Sequence, residues 1–414
     1  MSIWKNTKST VRLVAEDIYY LGVDEPHVDE LFEGIHPIPE GVSYNAYLLK
    51  DEKTVLFDTV DKKVIDKFMA NLKEALDGRP LDYFIVQHME PDHAYGINHV
   101  LKAYPDVTVI ANEKTFMLMH QFGVDVALEK KHQVAELDTI SFGRHNFVFA
   151  FAPMVHWPEV MVSFDTTTGC LFSADAFGSF GTLDGNLFDD EVDYDRDWHE
   201  KARRYFVNIV GKYGPHVQSI LGKAVNIIKL ENIKIFLPTH GHVWRTDLMY
   251  LVNKYLKWSS YEPEEKGVLI VYASMYGNTE KAVEYFADKL QEKGVTNITV
   301  RNASYTDTSY LISDSFRLSH IVIACPTYNL GIFPLINNYL ARMKSLNLKN
   351  RTFGIIENGS WAPKAGDLIE EFLDKEMKEM TILDDRVTII SSLGEINEPE
   401  IESLVDSLVQ SLQS

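Results

Sequence analysis

At 414 residues the chain is longer than a single hydrophobic core usually supports, so its length predicts two domains. Hydrophobic residues make up 45% of it and charged residues 24%, the composition of an ordinary globular protein. The formal net charge of −20 argues against nucleic acids and anionic membranes as partners, although an acidic surface could recruit a basic redox partner.

The cysteine content and the N-terminus indicate the compartment. Cys170 and Cys325 each lie in an apolar, strand-like run and are predicted to be buried, reduced thiols. Two thiols cannot hold a four-cysteine iron–sulfur cluster or a rubredoxin site. Residues 1–6 show no basic segment before an apolar core, and no run of about 18 apolar residues occurs. The sequence therefore predicts a cytoplasmic protein with neither export signal nor membrane span.

The first part of the chain contains short strand patterns and one clear helical pattern. Strands are predicted over residues 18–23, 47–49 and 54–60, and a helix over 62–76. A further strand begins at residue 81 and is followed within a few residues by a cluster of side chains that bind metals. The members of this cluster are His88, Glu90, Asp92 and His93.

The backbone of this cluster is predicted to be extended. Alternate residues of an extended segment point the same way, so His88, Glu90 and Asp92 can converge from one side. Pro91 excludes a helix that continues through it and biases Glu90 towards an extended conformation. Four such side chains would repel one another or resist desolvation without a cation. The cluster therefore predicts a metal site rather than an ordinary polar loop.

Three later strand or loop ends add candidate ligands. They are His156, Asp175 and His240. Asp175 follows a predicted hairpin of residues 160–173, and His240 follows a predicted strand of residues 233–237. Two helices are predicted between the hairpin and this strand, over residues 201–210 and 217–230. Together with the cluster, the three later residues make seven candidate ligands. If one carboxylate binds both metals, each of two metals has four ligands. Asp175 is the natural bridge, because a carboxylate has two oxygens.

The second half of the chain has a different rhythm. Residues 259–267 are polar and unpatterned, which predicts a linker between domains of residues 1–260 and 267–414. Strands and helices then alternate, and this pattern predicts a doubly wound parallel sheet with its ligand at the C-terminal strand ends. The predicted strands are 268–272, 297–301, 319–324, 352–357 and 386–391, and the predicted helices are 280–292, 334–343, 365–378 and 398–412.

Loops at three of these strand ends carry candidate ligand contacts. The first loop lies between a strand and a helix, as a phosphate site requires, and Gly277 lets the backbone approach an anion. The loop contains no lysine, which argues against a nucleoside triphosphatase. The alternative interpretation of the loop is a helix cap that binds no ligand. The candidates are Ser274, Met275, Tyr276, Gly277, Asn278 and Thr279, then Pro326, Thr327, Tyr328 and Asn329, then Gly359, Ser360 and Trp361.

The spacing from His88 to His93, followed by His156, Asp175 and His240, resembles the metallo-β-lactamase-like fold and, within it, the A-type flavodiiron proteins. Zinc hydrolases of that fold generally carry His where this chain has Glu90, and a carboxylate there suits iron better. The second half resembles flavodoxin. The resemblance implies an α/β chain with an N-terminal metallo-β-lactamase-like αββα sandwich, then a flavodoxin-like doubly wound parallel sheet. It also implies two iron ions and FMN as cofactors.

The resemblance also implies roles for single residues. His88, Glu90 and His156 would hold one iron, and Asp92, His93 and His240 the other, with Asp175 between them. Tyr205 is a candidate catalytic residue of the pocket, with a core tyrosine as the alternative. The chain departs from the family at two places: Glu33 stands where a His is common, and Ser360 begins a loop in which a Gly-Trp pair is usual.

Two ferrous ions and a reduced FMN together supply four electrons, the number that converts dioxygen to two waters. Reduction of two nitric oxide molecules needs only two electrons, so the site can serve either substrate. From the altered position at Glu33 we expect oxygen reduction, with reduction of nitric oxide to nitrous oxide as the alternative that the resemblance also covers. The resemblance implies a head-to-tail homodimer or tetramer, in which the flavin of one subunit meets the irons of another. The electron donor would be a separate rubredoxin-like protein or flavin reductase, because no such module is appended.

Two other classes of protein are compatible with the residues alone. One is a zinc hydrolase of the metallo-β-lactamase type that carries a flavodoxin appendage. The other is a flavodoxin-like electron carrier whose N-terminal domain is an inert scaffold.

Overall fold

The structure is a computed structural model that describes residues 9–26 and 31–413, apart from the side chain of residue 227. Residues 1–6, predicted to carry no export signal, lie outside the described residues. Among the described helices, none is long and apolar enough to cross a membrane. The chain forms two compact units: the described residues of Met1–Phe206 with Pro215–Tyr255, and those of Val207–Gly214 with Leu256–Ser414. The domain limits 1–260 and 267–414 stay a prediction.

The first unit is built on two sheets. Its described strands are β1 (Arg12–Ala15), β2 (Ile18–Tyr20), β3 (Val23–Glu25), β4 (Val42–Tyr44), β5 (Tyr47–Lys50), β6 (Thr54–Phe57), β7 (Tyr83–Ile85), β8 (Thr108–Ala111), β9 (Lys131–Gln133), β10 (Thr139–Ser141), β11 (Asn146–Phe151), β12 (Met161–Asp165), β13 (Cys170–Ala174) and β14 (Ile235–Pro238). Over these residues one sheet has the order β1-β2-β5-β6-β7-β8-β9 and the other β10-β11-β12-β13-β14, while β3 pairs with β4. The predicted hairpin is confirmed, because β12 and β13 pair antiparallel.

The two sheets pack against each other through buried aromatic rings. Phe57 on β6 stacks on Phe172 on β13, with ring centroids 3.8 Å apart and planes 15° apart. Phe147 on β11 contacts both rings, at 5.4 and 5.9 Å. All three side chains are excluded from solvent, and such pairs contribute beyond their buried area. This contact holds the strand ends that carry the candidate ligands in one place.

Helices surround these sheets up to residue 259. They are α1 (Ile65–Leu76), α2 (Pro91–Ala94), α3 (Ile97–Ala103), α4 (Glu113–Gln121), α5 (Tyr194–Asp197), α6 (His199–Tyr205), α7 (Gly214–Lys223) and α8 (Leu248–Ser259). The predicted helices 201–210 and 217–230 are interrupted, because α6 and α7 continue as π turns, Phe206–Val210 and Ala224–Ile228. Single 3₁₀ turns are Leu128–Lys130, Asp189–Glu191, Gly211–Tyr213 and Leu230–Asn232.

The backbone at the ligand cluster differs from the prediction. Glu90 is extended as expected, with φ −58° and ψ 137°. Pro91, however, occupies the first position of α2, where a proline loses no helical hydrogen bond. Asp92 and His93 therefore lie on a helical turn, and the prediction that Asp92 shares an extended segment with His88 is wrong. The turn points Asp92 towards a different set of partners, described below.

The second unit confirms the predicted doubly wound parallel sheet. Its described elements are β15 (Glu265–Tyr272), α9 (Asn278–Glu292), β16 (Ile298–Asn302), α10 (Thr308–Arg317), β17 (Leu318–Tyr328), β18 (Gly331–Ile332), α11 (Pro334–Ser345), β19 (Arg351–Asn358), α12 (Ala365–Glu376), β20 (Met380–Ile389), a 3₁₀ turn (Glu395–Asn397) and α13 (Glu398–Gln413). The parallel strands have the order β16-β15-β17-β19-β20. The order reverses between β15 and β17, so a ligand crevice forms at their C-terminal ends.

The sequence pattern missed α10. Asp307 caps this helix by accepting a hydrogen bond from the Ser309 N–H at 2.9 Å. Several buried positions of the helix are serine or aspartate rather than apolar residues, which hides its periodicity. The topology could have indicated this helix, because the parallel strands β16 and β17 need a crossover connection between them.

Arg351 organises buried backbone in the second unit. Its side chain is buried, and its guanidinium donates hydrogen bonds of 2.7–2.9 Å to five carbonyl oxygens. These carbonyls belong to Ser315, Phe316, Tyr261, Lys349 and Asn350. No single neutral side chain offers so many donors in one plane.

We predict that Arg351→Met lowers the free energy of unfolding of the second unit by about 3–4 kcal/mol, because buried carbonyls lose their donors. Urea unfolding followed by FMN fluorescence measures the change. The control is Lys375→Met, which removes an exposed ion pair with Glu371 and should cost less than about 0.5 kcal/mol. Equal losses in the two variants would contradict the assigned role.

Candidate functional site

The seven candidate metal ligands meet in the first unit as two groups. The first contains His88, Glu90, His156 and Asp175, and the second contains Asp92, His93 and His240. Within each group the candidate ligand atoms lie within 4.8 Å of one another. All seven residues are buried except Glu90, whose side chain is 13% exposed. Each group could hold one metal ion.

The first group is arranged around two carboxylates. Oε2 of Glu90 lies 2.9 Å from Nε2 of His156 and 3.3 Å from Nε2 of His88. Oδ2 of Asp175 lies 3.0 and 3.4 Å from the same two nitrogens. Two imidazoles and two carboxylates therefore present ligand atoms towards one point.

The second group brings the inner nitrogens of two imidazoles together. Nε2 of His93 lies 3.0 Å from Nε2 of His240, and Oδ2 of Asp92 lies 3.5 and 3.3 Å from these nitrogens. Neither oxygen of Asp92 accepts a hydrogen bond from the described part of the chain, although both are buried. Two nitrogens at this distance cannot both carry a proton, but both can donate a lone pair to a cation.

Asp175 connects the two groups. While its Oδ2 faces the first group, its Oδ1 lies 3.0 Å from Nε2 of His93 and 4.0 Å from Nε2 of His240. Thr239 donates a hydrogen bond of 2.6 Å to the same Oδ1, which holds the carboxylate in this orientation. One carboxylate thus offers an oxygen to each group.

Partners on the outer side of two imidazoles orient their inner nitrogens. The Nδ1–H of His88 donates to Oε1 of Glu159 at 2.9 Å, and the Nδ1–H of His240 donates to the carbonyl of Ser43 at 2.8 Å. Each bond leaves an Nε2 lone pair directed inwards, as a metal ligand requires. The sequence prediction assigned no role to Glu159 or Ser43. A buried acid one residue beyond a His-Trp-Pro sequence was the available signal for Glu159.

The charges of the site shift the pKa values of its members. Burial opposes a charge on His156, but the Glu90 and Asp175 carboxylates raise its pKa to about 10. Burial also opposes a charge on His93, but the Asp92 and Asp175 carboxylates raise its pKa to about 9. Burial alone would raise the pKa of Asp175, yet His93 and His88 lower it well below its usual range. Protons and metal cations therefore compete for these imidazoles.

The donor set fits a pair of iron ions. Four imidazoles and three carboxylates are buried together, and the carboxylates offset most of the charge of two divalent cations. Oxygen-rich sets of this kind favour harder cations than the His-rich sites of zinc hydrolases. The unpartnered Asp92 oxygens and the facing nitrogens of His93 and His240 are both satisfied by a cation.

Glu33, the departure from the family pattern, lies against the first group. Its carboxyl shares a hydrogen bond with Glu90, and its Oε2 lies 3.7 Å from Nε2 of His36. Burial, followed by the charge of Glu90, raises the pKa of Glu33 to about 8. The residue has φ of 49°, followed by Gly34 with φ of 72°, so a tight turn presents this side chain to the site.

Tyr205 also faces the site. Its ring is fully buried, 5.5 Å from the ring of His240 and 5.3 Å from that of Phe180. Its hydroxyl has no hydrogen-bond partner among the described residues. Burial, with the charges of Asp175, Asp92 and Glu90 contributing, raises its pKa well above the usual value, so the group stays a donor.

The candidate flavin residues line one cleft in the second unit. The cleft occupies about 1090 Å³, including its part open to solvent, at the C-terminal ends of β15, β17 and β19. Of the predicted residues, Ser274, Met275, Tyr276, Asn278, Thr279, Pro326, Thr327, Tyr328, Asn329, Gly359, Ser360 and Trp361 line it, and Gly277 lies within the first loop. Leu330, Asn358, Ala362 and Ser391 also line the cleft and were not predicted.

One end of the cleft suits a phosphate. Gly277 has φ of 87°, and a Cβ there would meet no atom within 4 Å, so its backbone is open to an anion. Its N–H donates to Oγ of Ser274 at 3.0 Å, which leaves the Ser274 hydroxyl free to donate. The first N–H groups of α9 add donors at this point. None of the residues lining the cleft is a lysine or arginine, so these uncharged donors would hold the phosphate.

The same cleft also suits a flat aromatic ring. Trp361 is 89% exposed and Tyr276 92% exposed, and both border the cleft with Tyr328. Large aromatic side chains on a surface commonly mark a ligand site. A ring stacked between such side chains would cover them.

Two family models match the chain. The model described as ODP family beta lactamase matches residues 42–241, which include all seven candidate ligands. The model described as flavodoxin matches residues 270–406, which include the whole cleft.

Known proteins share this combination. A solved structure of a variant of the flavo di-iron protein from Thermotoga maritima is 26% identical, with a TM-score of 0.87, over 98% of this chain and 99% of that one. The rubredoxin oxygen:oxidoreductase of Desulfovibrio gigas, 23% identical, gives a TM-score of 0.90 over 98% and 99% and supports the fold alone. An anaerobic nitric oxide reductase flavorubredoxin from Klebsiella pneumoniae is 28% identical over 378 residues, 89% of this chain and 76% of that protein. The chain belongs to the flavodiiron protein family.

Membership confirms the predicted fold class and cofactors. The chain is an oxidoreductase with FMN and two iron ions as cofactors, and its family comprises reductases of nitric oxide or dioxygen. The two rival classes, a zinc hydrolase and an electron carrier with an inert scaffold, are set aside.

We predict that iron binding releases protons and strengthens as the pH rises. The raised pKa values of His93 and His156 mean that both imidazoles carry protons at neutral pH, and iron must displace them. Anaerobic addition of Fe²⁺ to the metal-free protein at pH 7 should release about one proton per ion, because each ligand group contains one of these two imidazoles, and the affinity should rise between pH 6 and 9. The control His120→Gln changes an exposed histidine and should leave both results unchanged. An affinity independent of pH would contradict the prediction.

We predict that Trp361→Ala weakens FMN binding about tenfold or more, because stacking on an aromatic ring contributes roughly 1–3 kcal/mol. Quenching of FMN fluorescence gives the dissociation constant. Tyr305→Ala is the matched control, since Tyr305 is 90% exposed in the same unit and does not line the cleft. The same loss in both variants would show that Trp361 does not contact the flavin.

Proposed function

We propose that this chain reduces dioxygen to water at a diiron centre that receives its electrons from FMN. The observation that carries the proposal is the placement of Asp175, which offers one oxygen to each of two ligand groups. Two ferrous ions and a reduced FMN supply four electrons, as many as the conversion of dioxygen to two waters consumes. The chain has a candidate site for each of these cofactors.

We assign the ligands according to the two groups. His88, Glu90 and His156 would hold one iron, and Asp92, His93 and His240 would hold the other, with an oxygen of Asp175 available to each group. The distances within each group support this division. In the flavin cleft, Ser274, Asn278 and Thr279 bind the phosphate, while Tyr328 and Trp361 contact the ring.

Tyr205 is the proposed catalytic residue. Its hydroxyl is a donor without a partner in a buried pocket, so it can donate a hydrogen bond to an oxygen atom of the substrate. Phe32 and Tyr44 pack edge-on against His240, at 6.0 and 5.6 Å, and form an apolar wall beside it. A hydrogen bond to the substrate is stronger where such side chains exclude water.

Nitric oxide is the second candidate substrate. The curated relatives that match at 28–29% identity are named nitric oxide reductases. Reduction of two nitric oxide molecules to nitrous oxide and water consumes two electrons and two protons. The two ligand groups would supply one metal position for each of the two molecules.

We further propose a separate electron-donor protein, rubredoxin-like or a flavin reductase, and a head-to-tail homodimer or tetramer. The name flavorubredoxin, printed for the relatives, supports a donor of the rubredoxin type. A fully active monomer in sedimentation experiments would contradict the proposed assembly. We also propose a cytoplasmic location, because Cys170 and Cys325 are buried free thiols.

The decisive experiment uses purified protein loaded with iron and FMN, fed by an artificial reductant, with oxygen and nitric oxide electrodes. We expect dioxygen consumption without released peroxide, at a higher rate than nitric oxide consumption. A nitric oxide rate about tenfold above the oxygen rate would make the second candidate correct. Turnover with zinc in place of iron would overturn both.

Tyr205→Phe tests the proposed hydrogen bond in the same assay. Loss of one donor to a developing negative charge lowers turnover about 100-fold, while the iron content should not change. Tyr194→Phe is the control, because Tyr194 is also a buried tyrosine but packs against His242 and Trp244. Equal turnover in both variants would remove Tyr205 from the mechanism.

A further inference from the structure

An apolar cavity lies in the first unit, outside the metal-ligand groups. It is bounded by strands β11 to β14 on one side and by α7, its π turn and α8 on the other. Its walls are almost entirely carbon; Val155, Val162, Ala176, Val217, Leu221 and Val252 are among the lining residues. The centre of a water-sized sphere can occupy about 40 Å³ inside it, enough for a few small molecules.

The inner end of the cavity adjoins the metal site. Two of its lining residues, Val155 and Ala176, are the immediate chain neighbours of the candidate ligands His156 and Asp175. Consecutive Cα atoms are about 3.8 Å apart, so one residue separates the cavity wall from each of these two ligands. Both ligands belong to the first group, which makes this end of the cavity adjacent to a single metal position.

The other end of the cavity reaches towards solvent. Leu137 is 38% exposed there, and Ala224 and Ile228 on the π turn are half-buried. Lys223 lines this end with its aliphatic stem, because its ammonium is held by Oε1 of Glu136 at 2.8 Å and by the carbonyl of Phe151 at 2.9 Å. None of the residues named at this end is fully buried.

The chemistry of the walls selects the occupant. Water in such a cavity would find almost no hydrogen-bond partners, whereas an apolar molecule gives up no hydrogen bonds when it leaves water. Engineered apolar cavities stay dry and bind xenon for this reason. Dioxygen and nitric oxide are diatomic, nearly apolar and of similar size to one another.

We propose that this cavity is a binding site for apolar diatomic gases, which holds the substrate beside the group of ligands that contains His156 and Asp175. The inference rests on the proposed function for the identity of the gas, since both candidate substrates share this chemistry. It raises the local concentration of the gas next to the metals and so lowers the KM for it.

The first test is binding of xenon to the holoenzyme, by pressurising crystals with the gas. We expect xenon density in the cavity, and its absence in Ala224→Phe, whose new ring fills the space. Val225→Phe is the matched control, because Val225 is the next residue of the same turn, is 55% exposed and does not line the cavity. No xenon in the unsubstituted protein would overturn the proposal.

The second test compares the effect of filling the cavity on KM with its effect on kcat. Filling the cavity removes gas binding that precedes chemistry, so Ala224→Phe should raise the KM for the gas about tenfold and leave kcat and iron content unchanged. Ile220→Trp, at the half-buried outer end, provides a second filled variant if Ala224→Phe does not fold. An unchanged KM in a folded, filled variant would overturn the proposal. Xenon binding in a protein that reduces neither gas would overturn the proposed function and leave the gas site standing.

Discussion

The active-site architecture depends on one carboxylate, Asp175, and on the strand pairing that places it. β13 and β14 pair in parallel, with Ala174 opposite Pro238, and the N–H of Thr239 donates to the carbonyl of Ala174 at 3.0 Å. This register sets Asp175 beside Thr239, 64 residues away in sequence, whose hydroxyl holds Oδ1. A slip of one residue in this pairing would separate Asp175 from Thr239. Both ligand groups therefore rely on this one pairing.

A second buried carboxylate, Glu159, connects the first ligand cluster to the loop that carries His156. Its Oε1 accepts hydrogen bonds from Nδ1 of His88 and from the backbone N–H of Met89, both at 2.9 Å. It thereby orients one imidazole and holds the start of the cluster in place. Burying so much charge costs stability unless every group is paired. Mutual compensation of carboxylates and imidazoles, completed by cations, is the physical reason that this interior can stay polar.

The apolar surroundings complete the polar centre. Aromatic rings pack around His240, and the carbon-lined cavity includes Ala176, the chain neighbour of Asp175. Substrates that carry no charge and few hydrogen-bonding groups cannot be recognised by ion pairs, so apolar space is the means by which a fold can collect them. In the second unit the cleft likewise combines uncharged donors with exposed aromatic rings.

The sequence alone determined the candidate ligand side chains, the parallel sheet and the context of the phosphate loop, because these follow from local spacing and periodicity. Glu90 separated this chain from zinc hydrolases without any coordinates. The family resemblance implied which candidate ligands act together, but only the tertiary structure showed how the chain achieves it: Pro91 starts a helical turn that sends Asp92 to His93 and His240. The tertiary structure also decided the roles of Glu159, Thr239 and Ser43, the position of Glu33 against Glu90, and the apolar cavity. Each of these depends on contacts between residues far apart in the chain, which no local pattern records.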